Sequence, residues 1–139
     1  MGNLARFSVA MDEELLASFD DLVARRGAAV NRSEAVRGLV RDALVDAEWV
    51  DSAGEIVGTI TMVFDHHASD LSDKLDSLQH AHHERIVSSM HVHLDAHNCL
   101  EVIVVRGTSA QVRAIAEGLL GTKGVKHGKL VSTTTGQHL

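Results

Sequence analysis

The chain has 139 residues, a length that suits one ordinary domain or two very small ones. Hydrophobic residues make up 45% and charged residues 23%, which is typical of a soluble folded protein and excludes a disordered chain. No apolar run approaches the roughly 18 residues of a membrane helix. The first residues do not have the pattern of a secretory leader, and one cysteine cannot form an internal disulfide, so we expect a cytoplasmic protein. The net charge of −6 weighs against broad electrostatic binding to DNA, but it does not exclude a DNA-binding protein that uses a few well-placed arginines.

The N-terminal segment predicts a strand followed by two helices. Residues 5–11, ARFSVAM, alternate apolar and polar side chains, as in a half-buried strand. Asp12 is the expected N-cap of the first helix, and Asn31 with Glu34 has the spacing of a capping box before the second. A unit that ends near residue 47 buries too little surface to be stable alone, and its single strand has no partner. We therefore expect a symmetric dimer in which the strand pairs with its own copy.

A two-stranded ribbon of this kind has the width of the DNA major groove. On it, Arg6, Ser8 and Ala10 would face the bases while the alternate apolar side chains pack on the helices. Arginine pairs bidentately with guanine, serine bonds to several bases, and alanine offers only apolar contact. The alternative interpretation of this half is a dimerisation module without a role in nucleic-acid binding.

The second half predicts a β-α-β-β-α-β order, the ferredoxin-like arrangement. The fold class is therefore α+β, with a first domain over 1–47, a linker over 48–54 and a second domain over 55–139. The predicted strands cover 55–64, 84–95, 99–107 and 124–134, and the predicted helices cover 65–83 and 108–121.

Histidine is the over-represented residue, with ten in the chain. In the sequence HVHLDAHNC, His91 and His93 are two apart on a strand, so their side chains lie on the same face, and Cys99 follows the next turn. Two imidazoles and a nearby thiolate can chelate a transition metal. His80, at the end of the preceding predicted helix, is the best candidate for a fourth ligand. A tetrahedral site would suit zinc and a planar one Ni(II) or Cu(II), so the ligand types alone do not select the metal.

Other histidines in this region have weaker assignments. His66 and His67 lie at the start of the predicted helix, where surface exposure or helix-start hydrogen bonding is the simpler interpretation. His82 and His83 lie near the following loop, so we expect them to face solvent or to form low-affinity sites. His97 is close to Cys99 in sequence, and we expect its side chain to point away from it.

The chain resembles a known family along nearly its whole length. Residues 5–47, with RFSVAMDEELLASFD and NRSEAVR, are similar to ribbon-helix-helix DNA-binding domains. Residues 55–134, with QHAHH, SSMHVHLDAHNCLE and KGVKHGKL, resemble the ligand-binding domain of the nickel-responsive regulator (NikR) family, which has an ACT-type fold. The resemblance implies a homotetramer, a dimer of dimers, that binds double-stranded operator DNA and represses nickel-uptake genes when Ni(2+) is bound. It implies a planar nickel site made of His91, His93 and Cys99 of one subunit and His80 of a neighbour.

Some positions depart from the family pattern or extend it. Ala10 stands where the family often has Thr or Ser, so the resemblance does not give the operator sequence. Glu34 matches one residue of a second cation site of the family, but Gly38 stands where another is often Asp. Gln79 and Glu101 flank the ligand positions, and we expect them to orient the ligands through hydrogen bonds.

Three other functions compete with this interpretation. A metalloenzyme would need an open metal position, but no carboxylate near the motif has an obvious acid–base partner. An antitoxin-like ribbon-helix-helix protein usually ends in a short disordered tail, whereas this chain continues into a folded domain. A copper or zinc sensor would use the same ligand types.

Overall fold

The computed structural model describes residues 2–27, 30–50, 54–68, 70–137 and 139. The chain divides into two compact units, Met1–Arg41 and Asp42–Leu139. None of the helices in the described parts of the chain is long and apolar enough to cross a membrane.

The two helices of the N-terminal half begin where the sequence predicts. Helix α1 spans Glu13–Arg25, and the Asp12 carboxylate before it accepts hydrogen bonds from the first free N–H groups of the helix, at 2.9 and 3.3 Å. Helix α2 spans Arg32–Val50, and the side-chain oxygen of Asn31 accepts the N–H of Glu34 at 2.8 Å. Both predicted N-caps are confirmed. Each satisfies backbone donors that have no partner within the helix.

The segment before α1 differs from its predicted form in the single chain. Residues 2–12 have no regular secondary structure, so the strand expected over 5–11 is not formed. The side chains of Phe7, Val9 and Met11 are 75%, 67% and 43% exposed. A strand exists only with a hydrogen-bonded neighbour, and the described residues of one chain place none beside this segment.

The second unit is built on a four-stranded antiparallel sheet in the order β2-β3-β1-β4. Two helices alternate with the strands, which confirms the predicted β-α-β-β-α-β order. The strands and helices are β1 Ile56–Asp65, α3 Leu71–Ala81, β2 Ile86–His93, β3 Asn98–Gly107, α4 Ser109–Leu120 and β4 Val125–Thr133.

One face of this sheet is covered and the other is open. The even-numbered side chains of β1, such as Ile60, Met62 and Phe64, are buried together with the apolar faces of α3 and α4. The odd-numbered side chains of β1 lie on the opposite face and are only half-buried. The predicted apolar faces of the two helices are confirmed, since these residues are buried or half-buried in the core: Leu71, Leu75 and Leu78 of α3, and Val112, Ile115, Ala116 and Leu119 of α4.

The C-terminal end of α2 is part of this core. The helix continues to Val50, so residues 48–50 of the predicted linker are helical, while residues 51–53 lie outside the described residues. Trp49 is only 5% exposed, and its indole N–H donates to the carbonyl oxygen of Thr133 at 2.8 Å. The guanidinium of Arg113 lies 5.8 Å from the centre of its ring. The helix extends past the predicted end because this side chain packs against the sheet.

We predict that Trp49→Ala destabilises the second unit strongly. Removing a buried aromatic side chain typically costs about 3–5 kcal/mol of unfolding free energy. The control is Val50→Ala, because Val50 is 84% exposed and surface changes usually stay within about 0.5 kcal/mol. The unfolding free energies of both variants are measured by urea unfolding at one fixed protein concentration, followed by far-ultraviolet circular dichroism. Similar unfolding free energies for the two variants would contradict the assignment of Trp49 to the core.

Candidate metal centre

The candidate site lies at the end of the sheet where β2 and β3 meet. His91 and His93 are on the same face of β2, as their spacing predicts. His93 pairs directly with Cys99 across the antiparallel ladder, and Cys99 pairs in turn with Phe64 of β1. The side chains of His93, Cys99 and Phe64 therefore lie in one row across the strands, on the face of the sheet that the helices cover.

The sulfur of Cys99 has two imidazole nitrogens close to it. The distance from Cys99 Sγ to His93 Nδ1 is 3.6 Å, and the distance to His66 Nδ1 is 3.1 Å. One ligand atom from each of these residues lies within 4.8 Å of the other two. Cys99 is fully buried, His66 is half-buried and His93 is exposed, so the group opens towards solvent on one side.

His66 was expected at the start of a helix, and this expectation is wrong. Helix α3 begins only at Leu71, and His66 lies in the turn directly after β1. Its backbone N–H donates to the carbonyl oxygen of His97 at 3.0 Å, just beyond the last β1–β3 pair, Asp65 with Asn98. The alternation of inward and outward side chains along β1 therefore continues one residue past its end, to His66. The even numbering of the inward side chains of β1 was the signal that could have found His66.

The other two predicted ligands lie outside this close group in the single chain. The ring of His91 has its centre 5.1 Å from that of His93, and the side chain is exposed. His80 lies in the last turn of α3, as predicted, and is also exposed. Among the described residues of one chain, the group within reach of one ion is made of His66, His93 and Cys99.

Gln79 and Glu101 form a contact between α3 and the sheet. The side-chain amide of Gln79 donates to the Glu101 carboxylate at 3.0 Å. Glu101 is 8% exposed and pairs with His91 in the β2–β3 ladder, while Gln79 directly precedes His80. The hydrogen bond thus fixes the last turn of α3 against β3, the strand that carries Cys99 near its start.

The turn between β2 and β3 is held by the Asp95 carboxylate. It accepts the backbone N–H groups of His97 and Asn98, each at 2.8 Å, and the side-chain amide of Asn98 at 2.9 Å. These bonds, those from Asn98 first, hold the pKa of Asp95 well below its usual range. The charged carboxylate therefore fixes the turn that positions Cys99 opposite His93. His97 is exposed on this turn, with its ring centre 5.6 Å from that of His67.

The environment of Cys99 favours its protonated form when no metal is bound. Burial raises the pKa of the thiol, and the carboxylates of Asp65, Asp95 and Glu101 raise it further. A metal ion that binds the thiolate must displace this proton, so binding is favoured as the pH rises. The donor set fits the implied metal, because one thiolate with several imidazoles is a ligand combination that suits Ni(II), Cu(II) and Zn(II).

The residues predicted to contact DNA lie in the segment before α1. Arg6, Ser8 and Ala10 are all exposed there. Glu34 uses its carboxylate in ion pairs within α2, at 2.7 Å to Arg37 and 3.5 Å to Arg41. Gly38, one turn further along α2, contributes no side chain.

Two family descriptions match the chain. "Ribbon-helix-helix protein, copG family" matches residues 5–47, and "NikR C terminal nickel binding domain" matches residues 57–133. A solved structure of an uncharacterized protein from Thermotoga maritima aligns with a TM-score of 0.52 and 16% identity, covering 58% of this chain and all of that one. That likeness indicates a shared fold for the aligned part.

Several curated relatives align with the whole chain. Proteins of Geobacter sulfurreducens, Nitratidesulfovibrio vulgaris and Solibacter usitatus are 59%, 54% and 52% identical over 139 residues, covering 100% of this chain and 99% of each relative. Each is named "Putative nickel-responsive regulator". The chain therefore belongs to the NikR family of nickel-responsive, ribbon-helix-helix DNA-binding regulators, which are not enzymes.

Proposed function

We propose that the protein is a homotetrameric repressor that binds operator DNA in the nickel-loaded form and shuts off nickel uptake. In this proposal His91, His93 and Cys99 of one subunit and His80 of a neighbouring subunit hold the nickel ion. The observation that supports it most directly is the 3.6 Å distance between His93 Nδ1 and Cys99 Sγ on strands that one hydrogen-bonded ladder joins. When bound, nickel supplies an electrophilic centre that fixes these side chains relative to one another.

The position of the site in the sheet favours a ligand from a second subunit. Strand β2 is an edge strand, and His91 and His93 are exposed on it. His80 is exposed in its own chain, outside the group that surrounds Cys99. Each chain thus exposes two imidazoles beside Cys99 and, separately, the imidazole of His80. These two parts are complementary, so two copies can complete a four-ligand site that one chain leaves incomplete.

The distribution of exposed apolar side chains supports two kinds of self-association. On the open face of the sheet, Met90 and Val131 are 58% and 56% exposed. In the N-terminal unit, large apolar residues such as Phe7, Leu15 and Val40 are 75%, 58% and 51% exposed. Exposed apolar surface of this extent is typical of interfaces. Two different self-complementary surfaces on one chain close into a tetramer with two kinds of dimer contact when their twofold axes cross at right angles.

Pairing of residues 5–11 with a second copy would create the DNA-binding surface. The alternation places Phe7, Val9 and Met11 on one side of the ribbon and Arg6 with its outward neighbours on the other. The apolar side would cover the exposed faces of the helices. The polar side would be free to enter the major groove, with one arginine from each strand.

Nickel can raise operator affinity only by favouring the arrangement of subunits that binds DNA. A ligand set divided between two subunits provides this preference, because the bond energy is available in full only when the subunits adopt one relative position. The hydrogen bond from Gln79 to Glu101 connects the last turn of α3, which carries His80, to the strands of the site. Through this bond the position of α3 is coupled to the geometry of the metal ligands.

We predict that Cys99→Ser removes high-affinity nickel binding and nickel-dependent binding to operator DNA. Serine is not ionised near neutral pH, so the strongest donor is lost. The affinity for nickel should fall by more than about 100-fold, since changes in outer-shell partners alone cost about 10–100-fold. The thiolate-to-nickel charge-transfer absorption should disappear while the circular dichroism spectrum stays unchanged. His97→Ala is the matched control, because its ring faces His67. A variant that keeps the absorption band would contradict the assignment of Cys99.

We predict that Arg6→Ala weakens binding to specific DNA and leaves nickel affinity unchanged. A bidentate contact between arginine and guanine contributes about 1–3 kcal/mol of discrimination against the wrong base. Titrations of a DNA duplex selected from a random pool by the nickel-loaded parent, beside a scrambled duplex, measure this effect. Arg25→Ala, an exposed charge in the last turn of α1, is the control for loss of positive charge. Equal losses on the two duplexes would mean that Arg6 contacts phosphates and not bases.

A further inference from the structure

His66 is a potential metal ligand beyond the proposed set. Its Nδ1 lies 3.1 Å from Cys99 Sγ, closer than the nitrogen of His93 at 3.6 Å. The ring centres of His66 and His93 are 5.6 Å apart, nearly perpendicular. The three ligand atoms lie within 4.8 Å of one another, so a single ion can contact all three after small side-chain rotations.

The position of His66 is set by contacts within its own chain. Its N–H donates to the carbonyl oxygen of His97, and its ring lies 3.9 Å, centre to centre, from the ring of His67. His67 is itself held at both ends. Its backbone N–H donates to the Asp65 carboxylate at 2.9 Å, and its Nε2 lies 3.0 Å from the carbonyl oxygen of Ala96. No second subunit is needed to place His66 beside Cys99.

From this geometry we infer that His66, His93 and Cys99 form an in-chain nickel site, used when the His80 of a neighbouring subunit is not engaged. The inference rests on the proposed function, because it adds a second ligand set at the same thiolate. The two sets share His93 and Cys99 and therefore cannot be filled at once. The in-chain set provides one thiolate and two imidazoles, one protein donor fewer than the shared set.

This difference in ligand number gives the two sets different roles. The in-chain set binds nickel more weakly but does so in any folded subunit, whatever its neighbours. The shared set binds more tightly, and only when two subunits are correctly placed. Since the ion keeps its bonds to His93 and Cys99, exchange of His66 for His91 and the neighbouring His80 moves nickel between the sets without release into solution.

The experiment uses the full-length chain with His80→Ala, which removes the shared set and leaves the in-chain set. To this variant we add His66→Ala, His66→Gln or, as matched control, His127→Ala; His127 is an exposed histidine on the opposite edge strand, β4. Nickel alone is the probe. The readouts are the affinity, the thiolate-to-nickel charge-transfer band and the number of imidazole ligands from X-ray absorption. Circular dichroism checks the fold of each variant.

We expect both His66 substitutions to lower nickel affinity by at least about tenfold relative to His80→Ala alone, with the loss of one imidazole ligand. Adding His127→Ala to His80→Ala should change neither the nickel affinity nor the number of imidazole ligands. If the His66 variants are folded and bind nickel as His80→Ala does, His66 is only a hydrogen-bonding neighbour of the thiol and the inference is overturned. The proposed function is tested separately by the first step, since the shared set requires that His80→Ala alone weakens binding relative to the parent.

Discussion

The antiparallel pairing of β2 with β3 positions His91 and His93 relative to Cys99. It sets His93 opposite Cys99, and the β1–β3 pairing sets Cys99 opposite Phe64. His66 lies two residues after Phe64, just past the end of β1, where its N–H donates to the carbonyl oxygen of His97. The short turn between β2 and β3 is fixed by the charged Asp95 carboxylate. A shift of this register by one residue would move the histidines of β2 to the opposite face of the sheet.

The arrangement of the strands also explains why one chain leaves the proposed site incomplete. Strand β2 is at the edge of the sheet, and the imidazoles of His91 and His93 are exposed on it in the single chain. Burial raises the pKa of the Cys99 thiol, so a metal ion that binds there must displace a proton. An ion held there has donors on one side and solvent on the other. In our proposal a second subunit fills that side with His80, which makes assembly and nickel binding favour each other.

Apart from the strand expected over residues 5–11, which needs a second copy to pair with, the order of helices and strands was predictable from sequence. Apolar periodicity and capping residues are local signals, as at Asp12 and Asn31. The partnership of His93 with Cys99 was equally predictable, since spacing on a strand fixes the face of each side chain. Trp49 was assigned to a linker because its neighbours are polar, and its burial depends on Thr133 and Arg113, far away in sequence. His66 was missed because the turn that follows β1 has helix-like composition. The hydrogen bond that fixes His66 is donated by its own N–H to the carbonyl oxygen of His97, far away in sequence. The alternation over residues 5–11 predicts a ribbon that presents Arg6, Ser8 and Ala10 to DNA. That His80 binds the metal of a neighbouring subunit follows only from the family resemblance, because one chain does not contain the contact between subunits.

In our proposal the tight nickel site is divided between subunits. Mixing two variants, His80→Ala and Cys99→Ser, tests it directly, because neither alone can form the shared set. After subunit exchange, some neighbouring pairs combine an intact His91, His93 and Cys99 with an intact His80. Nickel titration of the mixture, with exchange verified by native mass spectrometry, should show tight sites that exceed the affinity of His80→Ala alone. If exchange is complete and the mixture binds nickel no more tightly than that variant, all the ligands belong to one chain and the account of the shared site is contradicted.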